Sequence, residues 1–465
     1  MISITKKIAL KELLKEAEQI RAANKSYNDK IVSDVFKNAE NIAQRVLKNA
    51  SGIKSYTDKI DNIVTSKIFG YPIMLGLLAL VFWITIEGAN TPSALLSTLF
   101  FSFQDILTNW FAAINAPAWL HGVLVLGLYR TVAWVVSVML PPMAIFFPLF
   151  TILEDLGYLP RVAFNLDSLF KKAKACGKQS LTMCMGFGCN AAGVVSCRII
   201  DSPREKLIAV LTNNFVPCNG RFPTLIAIGT IFGAGMLTQG YRSLAVAGII
   251  TILILIGVGA TFLISWLLSK TLLKGETSSL ILELPPYRTP KIGSIVYRSI
   301  IDRTLFVLRR AIIVAAPAGI ITWILANYYT GELSVLAHIA NFLQPFAQIF
   351  GLDGYILMAF ILGFPANEIV LPILLMSYLS TGFMIEVENL MDLGNILLAN
   401  GWTWLTAVNV MLFSILHWPC GTTLLTILKE TGSKKWTLVA FLIPTLTAFT
   451  ACFLVTRFVD FLNLI

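Results

Sequence analysis

The sequence predicts an all-α integral membrane protein with several spanning helices. Hydrophobic residues make up 56% of its 465 residues and charged residues 13%, which is about half of the charged share that is usual in soluble domains. Apolar runs recur at the length of a spanning helix and lack the alternation of polar and apolar residues that marks a barrel strand. Because a helix forms hydrogen bonds between its own backbone groups, helices are the expected spanning elements. The composition excludes a soluble enzyme.

The basic residues are distributed unevenly along the chain. The net charge is +10, from 36 basic and 26 acidic residues. Thirteen of the basic residues lie in residues 1–67, and none lies between Ala311 and Leu428. Since basic residues gather in the cytosolic loops of membrane proteins, this distribution indicates topology. We expect contact with a lipid bilayer and no binding of nucleic acid.

Residues 1–67 are predicted to form a cytosolic amphipathic helical arm. Apolar residues such as Ile31, Val35 and Ile42 recur at helical spacing, with charged residues between them. The arm lacks the apolar core of a signal peptide, and the seven cysteines of the chain do not form the pattern of a secreted disulfide framework. We therefore expect a multi-pass protein of the cell (inner) membrane with reduced thiols.

Residues 68–269 are predicted as the first membrane half. Its first span runs from Pro72 to Ile86, and the segment Glu87–His121, which contains no Lys or Arg, is predicted to lie outside. The segment Leu120–Phe150 then returns inward. Its helix is expected to break at Pro141–Pro142, because proline lacks the backbone N–H that continues a helix.

Residues 270–304 are predicted as a cytosolic connector, and residues 305–465 as the second membrane half. The stretch from Lys270 to Arg310 carries eight basic residues, which places it in the cytosol by the same rule. Thr381–Asn400 is predicted to lie outside.

Two segments of the chain resemble each other. Gly186–Asn190 reads Gly-Phe-Gly-Cys-Asn and Gly363–Asn367 reads Gly-Phe-Pro-Ala-Asn, and each precedes a Pro-Cys pair, Pro217-Cys218 or Pro419-Cys420. The first segment lies among basic residues and the second in the stretch without them. The pattern predicts a polytopic helical permease with two inverted gate repeats that contain broken, re-entrant helices, as in secondary transporters. The alternative is a chance similarity between membrane helices rich in Gly and Pro.

The helix breaks bring together side chains that could bind a metal in transit. Backbone broken at membrane depth must line a polar cavity or be buried in protein, and thiolate, amide and carboxylate groups together suit a divalent transition metal. The candidate metal ligands are Cys189, Cys218, Cys420, Asn190, Asn367, Glu368, Met183 and Met185. The alternatives are cysteines and methionines that only pack and a glutamate at a helix end near the interface.

No motif for catalysis is visible. The string that comes nearest to a P-loop, Gly177 to Ser180, has Lys172 where the first glycine is required. We therefore expect a transporter and no enzyme, with no catalytic residues.

Several stretches together resemble the membrane (gate) domain of the bacterial ferrous iron transport protein B family. They are Leu153–Tyr158 with Arg161–Phe164, Gly186–Asn190, Asn214–Cys218 with Arg221–Pro223, and Pro419-Cys420 with Lys429-Glu430. The likeness covers about residues 25 to 460. It implies uptake of ferrous iron through a pathway lined by Cys189, Cys218 and Cys420. Fe²⁺ would be the transported substrate, and no cofactor would be bound permanently.

Two features depart from that family. Its amino-terminal GTPase domain is absent from this sequence, which implies control by a separate GTPase together with a small adaptor protein; a homo-oligomer is left open. Asn367 precedes Glu368 where many members carry Lys, which puts the charge balance of the second gate in doubt. The alternative function is transport of nucleosides or another small solute. Recognition of a nucleoside gives no reason for three thiols at helix breaks. A membrane scaffold without transport is disfavoured by the polar residues at the breaks.

Overall fold

The computed structural model describes residues 27–46, 56–66, 68–233, 239–275, 287–385, 387 and 389–462. Within these residues, six helices are long and apolar enough to cross a membrane. They are Gly70–Ala113, Ala118–Asp155, Ala245–Lys270, Ile292–Asn327, Trp404–Thr431 and Lys434–Phe461. The prediction of an all-α polytopic membrane protein is confirmed.

The first half of the chain consists of long helices followed by short, broken ones. Its helices are α1 Tyr27–Val46, α2 Tyr56–Val64, α3 Gly70–Ala113, α4 Ala118–Asp155, α5 Tyr158–Lys172, α6 Gln179–Gly188, α7 Asn190–Ser196, α8 Pro203–Thr212, α9 Phe222–Ile228 and α10 Gln239–Lys270. Single 3₁₀ turns lie at Cys197–Ile199, Asn213–Phe215 and Asn219–Arg221.

The second half repeats this order. Its helices are α11 Ile292–Asn327, α12 Val335–Gln348, α13 Gly354–Leu362, α14 Val370–Leu379, α15 Leu390–Ala399, α16 Trp404–Leu416, α17 Gly421–Thr431 and α18 Lys434–Phe461. A 3₁₀ turn at Asn367–Ile369 precedes α14. The strands β1 Tyr329–Thr330 and β2 Leu333–Ser334 form a short antiparallel hairpin. The predicted division at residue 304 falls inside α11.

The largest apolar core lies where the short helices of the second half pack together. It includes Phe360 of α13, Ile373 of α14 and Phe413 of α16, and Phe215 from the first half joins it. All four side chains are almost fully buried. The two halves therefore share one core around the broken helices, while the long helices α3 and α4 pack along each other beside it.

The predicted break at Pro141–Pro142 is wrong, because α4 continues as helix through both residues to Asp155. The two prolines remove only the hydrogen bonds that their N–H groups would make to residues 137 and 138, one turn earlier. Nearby, Ser137 Oγ donates to the Trp134 carbonyl at 2.9 Å. Packing against α3 along the length of the helix then outweighs the local preference.

The end of the arm is attached to the first membrane half through one buried arginine. Arg161 of α5 forms a two-pronged ion pair with Asp61 of α2, at 2.9 and 3.0 Å, and lies 4.2 Å from the ring centre of Tyr287. The hydrogen bond from Arg161 holds the pKa of Asp61 below its usual value. Asn165 of α5 also donates to the carbonyl of Val64 at 2.9 Å. These contacts join α2, α5 and the segment that precedes α11.

Candidate functional site

The two Gly-Phe segments break their helices in the same way. Cys189 separates α6 from α7 with φ −155° and ψ 125°. Ala366 lies between α13 and the turn before α14 with φ −153° and ψ 123°. Each residue is extended, and each is followed at once by an asparagine that starts a helical turn. The sequence similarity thus corresponds to a shared backbone geometry, while entry of the two segments from opposite sides of the membrane stays a prediction.

The two Pro-Cys pairs form a second pair of breaks. Cys218 has φ −80° and ψ 167° before the turn Asn219–Arg221, and Cys420 has φ −62° and ψ 159° before α17. The proline before each cysteine disfavours helix in the residue that precedes the proline and has no N–H to donate, so a helix is interrupted just before each cysteine. All three cysteines therefore occupy the position directly before a helical segment.

These four breaks surround one cavity, which we call the chamber. It has a volume of about 30 Å³, room for one or two water-sized particles. Its lining includes six of the predicted site residues: Cys189, Asn190, Cys218, Asn367, Glu368 and Cys420. Asn219, Thr422 and Thr423 also line it, although the sequence analysis did not select them.

Hydrogen bonds connect the breaks across the chamber. The amide nitrogen of Asn367 donates to Cys218 Sγ at 3.7 Å, and Cys420 Sγ lies 3.2 Å from Thr423 Oγ1. The backbone N–H of Gly421 donates to the carbonyl of Phe364 at 2.8 Å. Residues of the second half thus hold the thiols of Cys218 and Cys420 in position.

Glu368 lies at the edge of the chamber against the backbone of Gly220. A Cβ atom added to Gly220 would lie only 2.1 Å from Glu368 Oε1, so this position has room for glycine alone while the carboxylate stays in place. Among the described residues that line the chamber, Glu368 is the only acidic one and none is basic.

A second cavity, which we call the vestibule, adjoins the chamber. Its volume is about 430 Å³, and Glu368 and Asn219 line both cavities. Asn90 of α3 and Leu390 of α15 line its wall. Since the vestibule is bounded by parts of Glu87–His121 and Thr381–Asn400, it lies on the side that the charge distribution predicts to face outside. Because Glu368 and Asn219 line both cavities, they form the boundary between them, which we call the neck.

Arg221 is the main residue that the sequence analysis missed as part of this site. Its guanidinium donates to the carbonyls of Asn214 at 2.9 Å and Ile415 at 2.8 Å, and lies within 3.5 Å of the carbonyls of His417 and Trp418. The side chain is 1% exposed. Buried backbone carbonyls need hydrogen-bond donors. Arg221 supplies donors to the carbonyls that the two Pro-Cys breaks leave without a partner in a helix.

Met183 and Met185 do not line the chamber. Met183 packs in an apolar cluster with Val216, and Met185 in another with Phe146. Because residues two apart on a helix point in different directions, the two could not share one site on α6. Their role as ligands stays a prediction without a contact to the other candidates.

His417 and the remaining cysteines line neither cavity. His417 directs Nδ1 to the carbonyl of Phe413 at 3.0 Å, which engages that nitrogen within its own helix. Four cysteines line neither the chamber nor the vestibule: Cys176, Cys184, Cys197 and Cys452.

Within the part of the chain that the structure describes, no group of three or more His, Cys, Asp or Glu side chains is arranged to hold a metal ion. The role of the chamber side chains as metal ligands therefore stays a prediction.

Comparison with protein families gives two matches. The gate family, described as nucleoside recognition, matches residues 136–232 and 308–434. The family described as ferrous iron transport protein B C terminus matches residues 250–302. The first match contains all four helix breaks.

Curated relatives over most of the chain carry the name Fe(2+) transporter FeoB. One from Staphylococcus aureus is 29% identical over 423 residues, which are 89% of this chain and 61% of the relative. One from Methanocaldococcus jannaschii is 29% identical over 88% of this chain and 60% of the relative, and one from Synechocystis is 27% identical over 86% and 63%. The chain thus spans about three fifths of the length of these relatives. No solved structure matches it.

Proposed function

We propose that this chain, which matches the gate family and the family described as ferrous iron transport protein B C terminus, moves Fe²⁺ across the cell inner membrane. The resemblance seen in the sequence is confirmed by the family matches. The observation that carries the proposal is the chamber, because it gathers Cys189, Cys218 and Cys420 with Glu368 at the neck. Thiols and a carboxylate are groups that suit a divalent transition metal. Because no three such side chains among the described residues are arranged to hold one ion together, an ion in transit would meet them in turn.

The path proceeds from the vestibule through the neck into the chamber. A hydrated ion in the vestibule meets Glu368 first, because this residue lines both cavities. The carboxylate replaces part of the hydration shell, and the thiols accept the ion after losing their protons. Asn367 and Thr423 hold Cys218 and Cys420 in position through the contacts described above.

The size of the chamber disfavours a nucleoside as substrate. A volume of about 30 Å³ holds one or two water-sized particles and no larger body. A nucleoside would have to open the breaks widely, whereas a metal ion that loses water needs little more room than the chamber offers.

Uptake into proteoliposomes tests the proposal directly. The purified chain is offered Fe²⁺, Mn²⁺, Zn²⁺ and one nucleoside, each at the same concentration. We expect uptake of Fe²⁺ and none of the nucleoside. Uptake of the nucleoside without any metal would overturn the assignment.

Serine replacements test the thiol pathway. Serine is close in size to cysteine and is a harder, poorly ionised ligand, so Cys218→Ser should lower Fe²⁺ uptake by about tenfold or more while thermal stability stays near wild type. Cys189→Ser and Cys420→Ser should do the same. Cys176→Ser and Cys452→Ser are the matched controls and should leave uptake unchanged. A triple serine variant that transports at the wild-type rate would exclude the thiols.

We also propose that a separate GTPase and a small adaptor protein act on the cytosolic side. The support is that the relatives extend well beyond the part that this chain matches, and that residues 1–67 carry thirteen basic residues. A GTPase added to the proteoliposomes should raise the rate of uptake. Hydrolysis of GTP by the purified chain alone would contradict this partnership.

A further inference from the structure

The walls of the vestibule are mostly apolar and offer few groups that a metal ion could bind. Fifteen of its twenty lining residues are apolar, among them Trp134 and Leu371. A hydrated ion gains nothing from such walls, since its water shell pairs only with polar groups. The volume of about 430 Å³ instead falls in the range of about 300–1,000 Å³ that is typical of sites for small organic molecules.

The charge in the vestibule is confined to the neck. Glu368 is the only charged side chain among the described residues that line it, and it stands beside Asn219 at the neck. Asn90 and Ser93 of α3 contribute neutral polar groups to the wall. The cavity thus offers apolar walls and one carboxylate at the neck.

We propose that the vestibule binds a small organic cation that has an apolar body and one primary ammonium group. The ammonium pairs with the carboxylate of Glu368, and the body lies against the apolar walls around Trp134 and Leu371. An ammonium is favoured over a neutral or an anionic group because it complements the carboxylate. A bound cation of this class closes the neck and therefore competes with a metal ion for Glu368.

A positive charge on Arg221 lies close to Glu368, but it does not offset the attraction of the carboxylate for an ammonium group in the vestibule. Arg221 follows Gly220, which contacts the carboxylate, but the arginine lines neither cavity and is 1% exposed. Its guanidinium is engaged by the carbonyls of Asn214 and Ile415. Glu368 itself is partly exposed, so its carboxylate is the group that a ligand meets.

Binding is measured with adamantylamine as the probe. The full chain is placed in lipid nanodiscs, and radiolabelled probe is counted after equilibrium dialysis, with empty nanodiscs as the measure of partition into lipid. We expect saturable binding of one probe per chain that Mn²⁺ displaces. Adamantanol and adamantane carboxylate, which have the same body, should bind about tenfold more weakly or worse. Binding that does not saturate, or equal affinity for the amine and the alcohol, overturns the proposal.

A matched pair of variants locates the site. Ser93→Phe fills the vestibule, whereas Ala94→Phe adds the same ring at the exposed neighbouring position on α3, which does not line the cavity. The first should weaken probe binding about tenfold and the second less than about twofold. Equal affinities in the two variants overturn the assignment. Val138→Phe, which enlarges a lining residue of α4, replaces Ser93→Phe if that variant does not fold.

Direct binding separates this proposal from the transport function. Only the competition between probe and metal rests on the proposed function. Saturable binding of the amine in a chain that takes up no Fe²⁺ would refute transport alone. Normal uptake of Fe²⁺ without saturable binding would refute the vestibule site alone.

Discussion

Gly220→Ala is a perturbation whose effect can be worked out from the structure. The added Cβ would lie 2.1 Å from Glu368 Oε1 and 2.4 Å from Glu368 Cδ. Ordinary contacts begin near 3.4 Å, so the carboxylate must retreat by about 1.3 Å. Gly220 has no positive φ, which means that alanine can adopt its backbone conformation. The substitution therefore moves Glu368 and little else.

The expected result is a loss of transport without a loss of folding. Displacement of the Glu368 carboxylate removes its contact with the ion at the neck, and a hydrogen bond to a charged group is worth about 1.5–3 kcal/mol. Since about 1.4 kcal/mol corresponds to a factor of ten, we expect an uptake rate lower by about 10- to 150-fold. The thermal stability should stay near wild type, because the end of a flexible side chain can rotate away at low cost. Initial rates of Fe²⁺ uptake and a thermal unfolding curve measure the two quantities.

Two other glycines supply the controls. A Cβ at Gly257 would lie 2.3 Å from the backbone oxygen of Phe215, which cannot rotate away, whereas a Cβ at Gly259 meets nothing within 4 Å. Gly257→Ala should therefore lower stability by about 1–3 kcal/mol. Gly259→Ala should leave uptake unchanged and raise stability by about 0.5–1 kcal/mol, because alanine is the better helix former.

A double substitution decides whether the effect passes through the carboxylate. Glu368→Gln should itself lower uptake, and Gly220→Ala added to it should cost little more, since the charge has already been removed. Full additivity of the two effects would refute the reasoning, as would Gly220→Ala with wild-type uptake.

Three further outcomes follow from other parts of the chain. Because Arg161 lowers the pKa of Asp61, this carboxylate should stabilise the fold above the unfolded pKa of about 3.9 and lose that effect as the pH falls through its lowered pKa; Asp61→Asn should thus be less stable than wild type at neutral pH, with the difference in unfolding temperature vanishing in acid. Arg221→Lys should lose hydrogen bonds to both Pro-Cys breaks and lower stability by about 2–4 kcal/mol in a denaturant titration, and an unchanged midpoint would contradict its role. Cysteines introduced at Ser97 and at Ser279, which lies outside the described residues, should react with an impermeant thiol reagent from opposite sides of the membrane.

Local sequence signals predicted the broken helices well. Gly, Pro and Cys at two equivalent places marked breaks that the structure has at Cys189, Ala366, Cys218 and Cys420. These signals act within a few residues, through missing N–H groups and extended backbone. The same local rule failed at Pro141–Pro142, because there packing along a neighbouring helix outweighs two lost hydrogen bonds.

Contacts between the halves could not be predicted from one sequence. Arg221 contacts carbonyls almost 200 residues further along the chain, and the role of Gly220 depends on the place where Glu368 comes to lie. Periodicity gives the face of a helix only when its neighbours are known. For this reason the sequence alone does not reveal that Met183 and Met185, which flank Cys184, pack in two separate clusters.

The four breaks supply a mixed set of side chains with a definite order along the path that we propose. Three breaks place a cysteine before the next helical segment, at Cys189, Cys218 and Cys420, whereas the position equivalent to Cys189 in the second repeat is Ala366, whose methyl group cannot bind a metal. Two residues further on, Glu368 lines the same chamber. Each break thus contributes one thiol or carboxylate, in addition to the amides of Asn190 and Asn367. Because the carboxylate stands at the neck and the thiols behind it, an ion from the vestibule would exchange water for a hard oxygen ligand before it meets soft sulfur, a sequence that suits a borderline ion such as Fe²⁺ better than Mg²⁺ or Cu⁺.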